Sequence, residues 1–180
     1  MIRALALLTS LAVPAAAQHD HAGSHGDAAA AVLREPGQGA FAALAEVVAL
    51  LEADLATDWG RIDLDALRAH LVDMDRVATR AAVQVERRPD GLRAVATGDA
   101  ATAAALGRMV PAHAAQLAAD PSWTATGAVT AEGAVLTVTA GDPATVARIH
   151  ALGFFGLMAS QDHHRAHHLA LATGGSPHGE

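Results

Sequence analysis

Apolar residues recur at intervals of three and four positions in several stretches of the chain, which is the spacing of amphipathic helices. These stretches cover residues 41–57, 63–80 and 100–119, and a further one begins at Pro143. Asp63 stands where a helix N-cap is expected, and proline suits the first turn of a helix. The inward residues predicted for the first helix are Leu44, Val47, Val48, Leu51 and Leu55.

Two other segments alternate between apolar and polar residues, and each is centred on turn residues. Residues 83–98 alternate around Arg88-Pro89-Asp90-Gly91, and residues 123–140 alternate around Ala131-Glu132-Gly133. Alternation on both sides of a turn predicts a β-hairpin. Each segment is followed by a similar helix opening, Gly-Asp-Ala-Ala-Thr from Gly98 and Gly-Asp-Pro-Ala-Thr from Gly141.

The repeated order indicates a duplicated unit of one hairpin and one helix. Two antiparallel hairpins can join into one four-stranded antiparallel sheet, with the later helices covering it and the helix of residues 41–57 packed outside. The predicted fold class is therefore α+β.

The two ends of the chain differ in composition from its centre. Residues 1–17 combine Arg3, an apolar run and a small-residue cleavage site, which predicts a signal peptide. Residues 18–39 are polar and histidine-containing and are predicted to form a flexible arm, residues 40–172 a single domain, and residues 173–180 a flexible tail. We expect a periplasmic or secreted protein without a membrane anchor, because no second apolar run is long enough to span a bilayer.

Charge and cysteine content exclude several classes of function. The formal net charge is -7, and all 12 basic residues are arginine, so nucleic acid is not an expected partner and lysine chemistry is excluded. The chain has no cysteine, which leaves histidine, methionine and carboxylates as metal ligands.

Histidines are concentrated near the C-terminus, at His163, His164, His167 and His168. On one helix, these rings are neighbours at i,i+3 and i,i+4. The apolar stripe that precedes them continues through this cluster at helical spacing, so the rings are predicted to face the core. The stripe comprises Val146, Ile149, Gly153, Leu157 and, after the histidines, Leu171.

Each methionine that follows the predicted signal peptide lies close to a histidine in the sequence. The pairs are His70 with Met74, Met109 with His113, and Met158 with His163. Thioether and imidazole ligands together favour copper, Cu(I) especially, when thiolates are absent. The predicted function is copper binding, storage or delivery through the C-terminal histidines, completed by these residues where facing helices bring them close.

The histidine and methionine pattern is also compatible with other functions. Zinc could bind two or three of the imidazoles with a carboxylate such as Asp73 or Asp162. A metal-free module could use the histidines to bind a partner in a pH-dependent way. An axial His/Met haem site is disfavoured because aromatic residues are only 3% of the chain. No zinc-hydrolase or serine-nucleophile motif is present, so we do not expect an enzyme, and the protein partner is unknown.

Overall fold

A computed structural model of the protein describes residues 39–161 and 164–175. The side chains of His164 and Arg165 are not described. The predicted signal peptide, nearly all of the predicted arm, His163 and the last five residues lie outside the described residues.

Within these residues the chain forms five α-helices, four β-strands and a short 3-10 helix at Trp59–Arg61. The helices are α1 (Gly39–Ala53), α2 (Leu64–Arg80), α3 (Ala100–Leu117), α4 (Pro143–Met158) and α5 (His164–Ala172). The strands are β1 (Ala82–Arg88), β2 (Gly91–Thr97), β3 (Thr124–Thr130) and β4 (Gly133–Thr139). Asp63 caps α2 as predicted, accepting a hydrogen bond from the Ala66 N–H at 2.9 Å.

The strands form one antiparallel sheet in the order β1-β2-β4-β3. Each predicted hairpin is present, and the two hairpins join through β2 and β4, where Ala94 lies opposite Leu136. The predicted α+β class, with a four-stranded antiparallel sheet and an additional N-terminal helix, is confirmed.

The two hairpins resemble each other in detail. Gly91 and Gly133 both follow a two-residue turn with φ near +151°, a conformation that favours glycine. Asp99 caps α3 and Asp142 caps α4, each by accepting a hydrogen bond from the N–H three residues later. These features match the predicted repeat, but that the repeat is a duplication stays a prediction.

Helices α3 and α4 pack on one face of the sheet and enclose the larger hydrophobic core. Its fully buried members include Leu92, Leu106, Val110, Leu136, Val138, Ile149 and Leu157. Helix α3 runs through Pro111 and approaches β3 closely at Gly127, where a Cβ atom would lie 2.7 Å from the Pro111 Cα. Gly127 is therefore required for this helix–strand contact.

Two features of the predicted helical pattern are wrong. Helix α1 ends at Ala53 rather than Thr57, and Leu55 is 102% exposed, because the Asp54 carboxylate accepts from the Ala56 N–H and closes a turn. The stripe of residues 146–171 does not lie on one continuous helix. Gly153 has a non-helical conformation with φ of 57° and ψ of -163°, and α4 ends at Met158 before α5 begins.

A second, smaller core lies among α1, α2 and α5. Its buried residues are Val47, Leu51, Leu67, Leu71 and Ala172. The backbone N–H of Asp63 donates to the Ala172 carbonyl at 2.7 Å and fixes the end of α5 against the start of α2. In the part of the chain that the structure describes, no helix is long and apolar enough to cross a membrane.

Candidate metal site

Three imidazole rings from two helices meet beside the smaller core. The His70 ring on α2 lies with its centroid 4.5 Å from that of His167 and 5.6 Å from that of His168, and the two α5 rings are 6.5 Å apart. His168 is buried, while His70 and His167 are half-buried. The Nε2 atoms of His70 and His168 are buried from solvent. We call these three residues the histidine cluster.

The antiparallel packing of α2 and α5 explains why these rings meet. Asp63 contacts Ala172 at one end, so residues that follow Asp63 lie opposite residues that precede Ala172. Seven residues further along α2, His70 reaches His167 and His168. The neighbouring leucines on both helices pack in the smaller core and hold the helices in this register.

The ring spacing is close to what a shared metal ion requires. An ion bonded at about 2.0–2.1 Å to one nitrogen of each ring lies roughly 3 Å from each centroid, so rings that share it are roughly 5–6 Å apart. Of the observed centroid spacings, 5.6 Å lies within that range, 4.5 Å lies below it and 6.5 Å lies above it. However, no set of three or more His, Asp or Glu side chains among residues 39–161 and 164–175 is arranged to hold a metal ion. Binding at the cluster would therefore require the rings to rotate.

The predicted methionine ligands lie in two different places. Met74 is one helical turn after His70, in the direction of the start of α5, and is half-buried against the smaller core. Met158 is buried in the core under the sheet, and Met109 packs against that core. Met74 is thus the thioether that shares a helix and a core with the histidine cluster.

His113 and the remaining C-terminal histidines have different positions. The His113 ring is buried, and its Nε2–H donates to the Leu157 carbonyl at 2.7 Å, which ties α3 to α4. His163 and the side chain of His164 lie outside the described residues. The predicted participation of these two histidines stays a prediction.

The carboxylate of Asp73, a predicted zinc ligand, is engaged by an arginine. Its two oxygens accept hydrogen bonds from Arg108 Nε at 2.8 Å and Arg108 Nη2 at 2.9 Å. The hydrogen bonds that Arg108 donates to Asp73 raise the pKa of Arg108 above its ordinary value. A fork of this kind orients both partners, and here it directs the Asp73 carboxylate towards α3.

Sequence reasoning did not single out His150. Its Nε2–H points at two carbonyls of the first hairpin turn, 2.7 Å from Gly91 O and 3.1 Å from Arg88 O. This ring fastens α4 to the turn. No sequence signal could have revealed this role, because the partners of the ring are backbone atoms that are distant in the chain.

Comparison of the chain with protein-family models, with curated proteins and with solved structures found no match.

Proposed function

We propose that this chain is an exported copper-binding protein, and that the histidine cluster is the centre of its metal site. The observation that carries the proposal is that His70, although far from His167 and His168 in the sequence, packs its ring against both. Imidazole is a good ligand for copper and zinc, and a nearby thioether favours copper. Met74 is the candidate thioether, and His163 and His164 are further candidate ligands from the same segment.

Binding, storage or delivery fits this arrangement better than catalysis. The cluster lies between two helices beside an apolar core, and the carboxylate nearest to it in the sequence of α2, Asp73, is paired with Arg108. Zinc binding, or metal-free association with a partner, is the alternative that the following experiment separates from copper binding.

The test compares the affinities of the mature, untagged protein for Cu(I), Cu(II) and Zn(II), measured by competition with chelators of known affinity. His70→Ala should weaken copper binding by at least about tenfold, since it removes the imidazole that α2 supplies to the cluster. The double variant His167→Ala/His168→Ala should weaken it further.

Two controls identify the ligands. His150→Ala removes a histidine outside the cluster and should leave copper affinity unchanged. Met74→Leu/Met109→Leu keeps the side-chain volume nearly constant, so a loss of Cu(I) affinity alone would identify a thioether ligand. Copper binding that is unaffected by His70→Ala would contradict the proposal, and tighter binding of zinc than of copper would make zinc the better assignment.

A further inference from the structure

Strand β3 forms one edge of the sheet and is exposed along most of its length. Within the described residues it pairs with β4 alone, and the helix that packs on it is α3. Val129 is 63% exposed although it lies on the helix-covered face. An edge of this kind carries backbone N–H and C=O groups that can pair with another strand.

The hydrogen bonding of the sheet shows which residues carry those groups. The Gly98 N–H donates to the Glu132 carbonyl at 3.3 Å, so the backbone of Gly133 points away from β2 and towards β3. Thr130 and Gly133 therefore form a hydrogen-bonded pair, and such pairs alternate along an antiparallel ladder. It follows that Ala125, Gly127 and Val129 direct their N–H and C=O groups to the open edge.

The two edges of the sheet differ in charge. Residues 122–131, which include all of β3, contain no charged residue and no proline. The opposite edge strand, β1, carries Glu86, Arg87 and Arg88. Charged side chains on an edge strand oppose pairing with another chain, so β1 has this protection and β3 lacks it.

We infer that β3 pairs with β3 of a second copy of this chain, antiparallel and around a twofold axis at Gly127. In this register Gly127 lies opposite its own copy, and Ala125 lies opposite Val129. These are the residues whose backbone groups face the edge, so each of the three pairs forms two hydrogen bonds. The two sheets join into one sheet of eight strands.

The sequence of β3 favours a second copy over an unrelated strand because it is self-complementary. Thr124 lies opposite Thr130 and Thr126 lies opposite Ala128, so no charge is buried. These residues lie on the face of the sheet that α3 and α4 do not cover, where the threonines of the two copies meet. A twofold contact uses the same surface on both copies and closes after two. The contact is small, so a weak dimer is expected.

Analytical ultracentrifugation of the mature protein tests this inference by measuring its oligomeric state. Protein concentrations up to about 1 mM detect weak complexes. The Val129 N–H faces the open edge, so Val129→Pro removes it without breaking a hydrogen bond to β4. Proline is tolerated in an edge strand where the N–H faces outward. It should raise the dimer dissociation constant at least about tenfold. Val129→Lys, which keeps the backbone N–H but adds a charge opposite Ala125, should act in the same direction.

The matched control is Val85→Pro on β1. The Ala140 N–H donates to the Asp90 carbonyl, so the backbone of Gly91 points towards β1 and forms a hydrogen-bonded pair with Arg88. Because such pairs alternate along the ladder, the N–H of Val85 points to the outer edge of β1. This variant should dimerise like the parent. A monomeric parent, a dimer that survives both Val129 changes, or dissociation caused by Val85→Pro but not by Val129→Lys would overturn the inference.

Cysteine cross-linking tests the register, since the chain has no cysteine of its own. Thr126 and Ala128 of the two copies form a non-hydrogen-bonded pair with Cα atoms about 4.5 Å apart, a separation that a disulfide spans. Thr126→Cys/Ala128→Cys should give a covalent dimer on oxidation, while Thr124→Cys/Ala128→Cys should not. Equal cross-linking of the two double variants would refute the proposed register.

Discussion

The contact of Gly127 with α3 makes a stability prediction that can be worked from the structure. A Cβ atom added at Gly127 would lie 2.7 Å from Pro111 Cα and 2.9 Å from Val110 O, whereas ordinary contact begins at 3.4 Å. Both neighbours are backbone atoms, so α3 itself would have to move by about 0.7 Å. Overpacking of this kind costs about 1–3 kcal/mol, and the reduced entropy of the unfolded chain returns about 0.4–1 kcal/mol. We expect Gly127→Ala to lower the free energy of unfolding by about 1–2 kcal/mol.

Gly107→Ala, in α3 above the same strand, is the matched control. Its new Cβ would lie 3.4 Å from the Val129 Cγ1, which belongs to an exposed side chain that can move. Alanine is favoured over glycine inside a helix by about 1 kcal/mol, so this variant should be as stable as the parent or more stable.

Urea unfolding, followed by far-ultraviolet circular dichroism, measures both changes. With a slope of about 1–3 kcal/mol per molar urea, the Gly127→Ala midpoint should fall by roughly 0.5–1 M. A Gly127→Ala midpoint at or above that of the parent, or an equal loss in Gly107→Ala, would refute the close-contact argument.

Three further predictions concern the helix caps, the hairpin turn and α5. The Thr102 N–H lowers the pKa of Asp99, and the hydroxyl and N–H of Thr145 lower that of Asp142, from an ordinary value of 3.8. The stability that these carboxylates contribute is present above that value and is lost as pH falls through their folded-state pKa. Asp99→Asn/Asp142→Asn keeps both caps but removes the titrating groups. The urea midpoint of this variant should therefore fall less than that of the parent as the pH is lowered. His150→Phe removes the donor to the first turn and should lower the free energy of unfolding by about 1 kcal/mol, measured by urea unfolding; an unchanged midpoint would contradict that role. At a copper concentration near the dissociation constant of the parent, copper should slow amide hydrogen exchange in α5 more in the parent than in the His70→Ala variant, and equal protection in both would place the metal elsewhere.

The sheet was predictable because its signals are local. Alternation with period two and a turn followed by glycine, at Gly91 and Gly133, indicate each hairpin, and the first turn also contains Pro89. An aspartate followed by a threonine three positions later opens both helices. The joining of the two hairpins into one sheet was predicted because both are antiparallel, but the pairing of β2 with β4 is seen only in the structure.

The errors arose where apolar spacing continued past a backbone break. Leu55 keeps the helical interval, but the side chain of Asp54 closes a turn that ends the helix. Gly153 and Leu157 likewise keep the interval, yet the conformation of Gly153 interrupts α4. Spacing alone does not reveal a positive φ or a local side-chain hydrogen bond.

The candidate site was predictable in part. Helical spacing placed the C-terminal rings on an inward face, but it could not tell which helix receives them, because that depends on packing between distant segments. The structure brings His70 to His167 and His168 and places Met109 and Met158 in the other core. Both cores are built from the same apolar spacing, so the sequence pattern does not separate them.

Anomalous X-ray diffraction from crystals of the copper-loaded protein tests the central claim most directly, because it locates the ion without reference to affinity. We expect a copper peak among the three rings, about 2 Å from one nitrogen each of His70, His167 and His168. A copper peak bonded to other residues, with none between α2 and α5, would contradict the account.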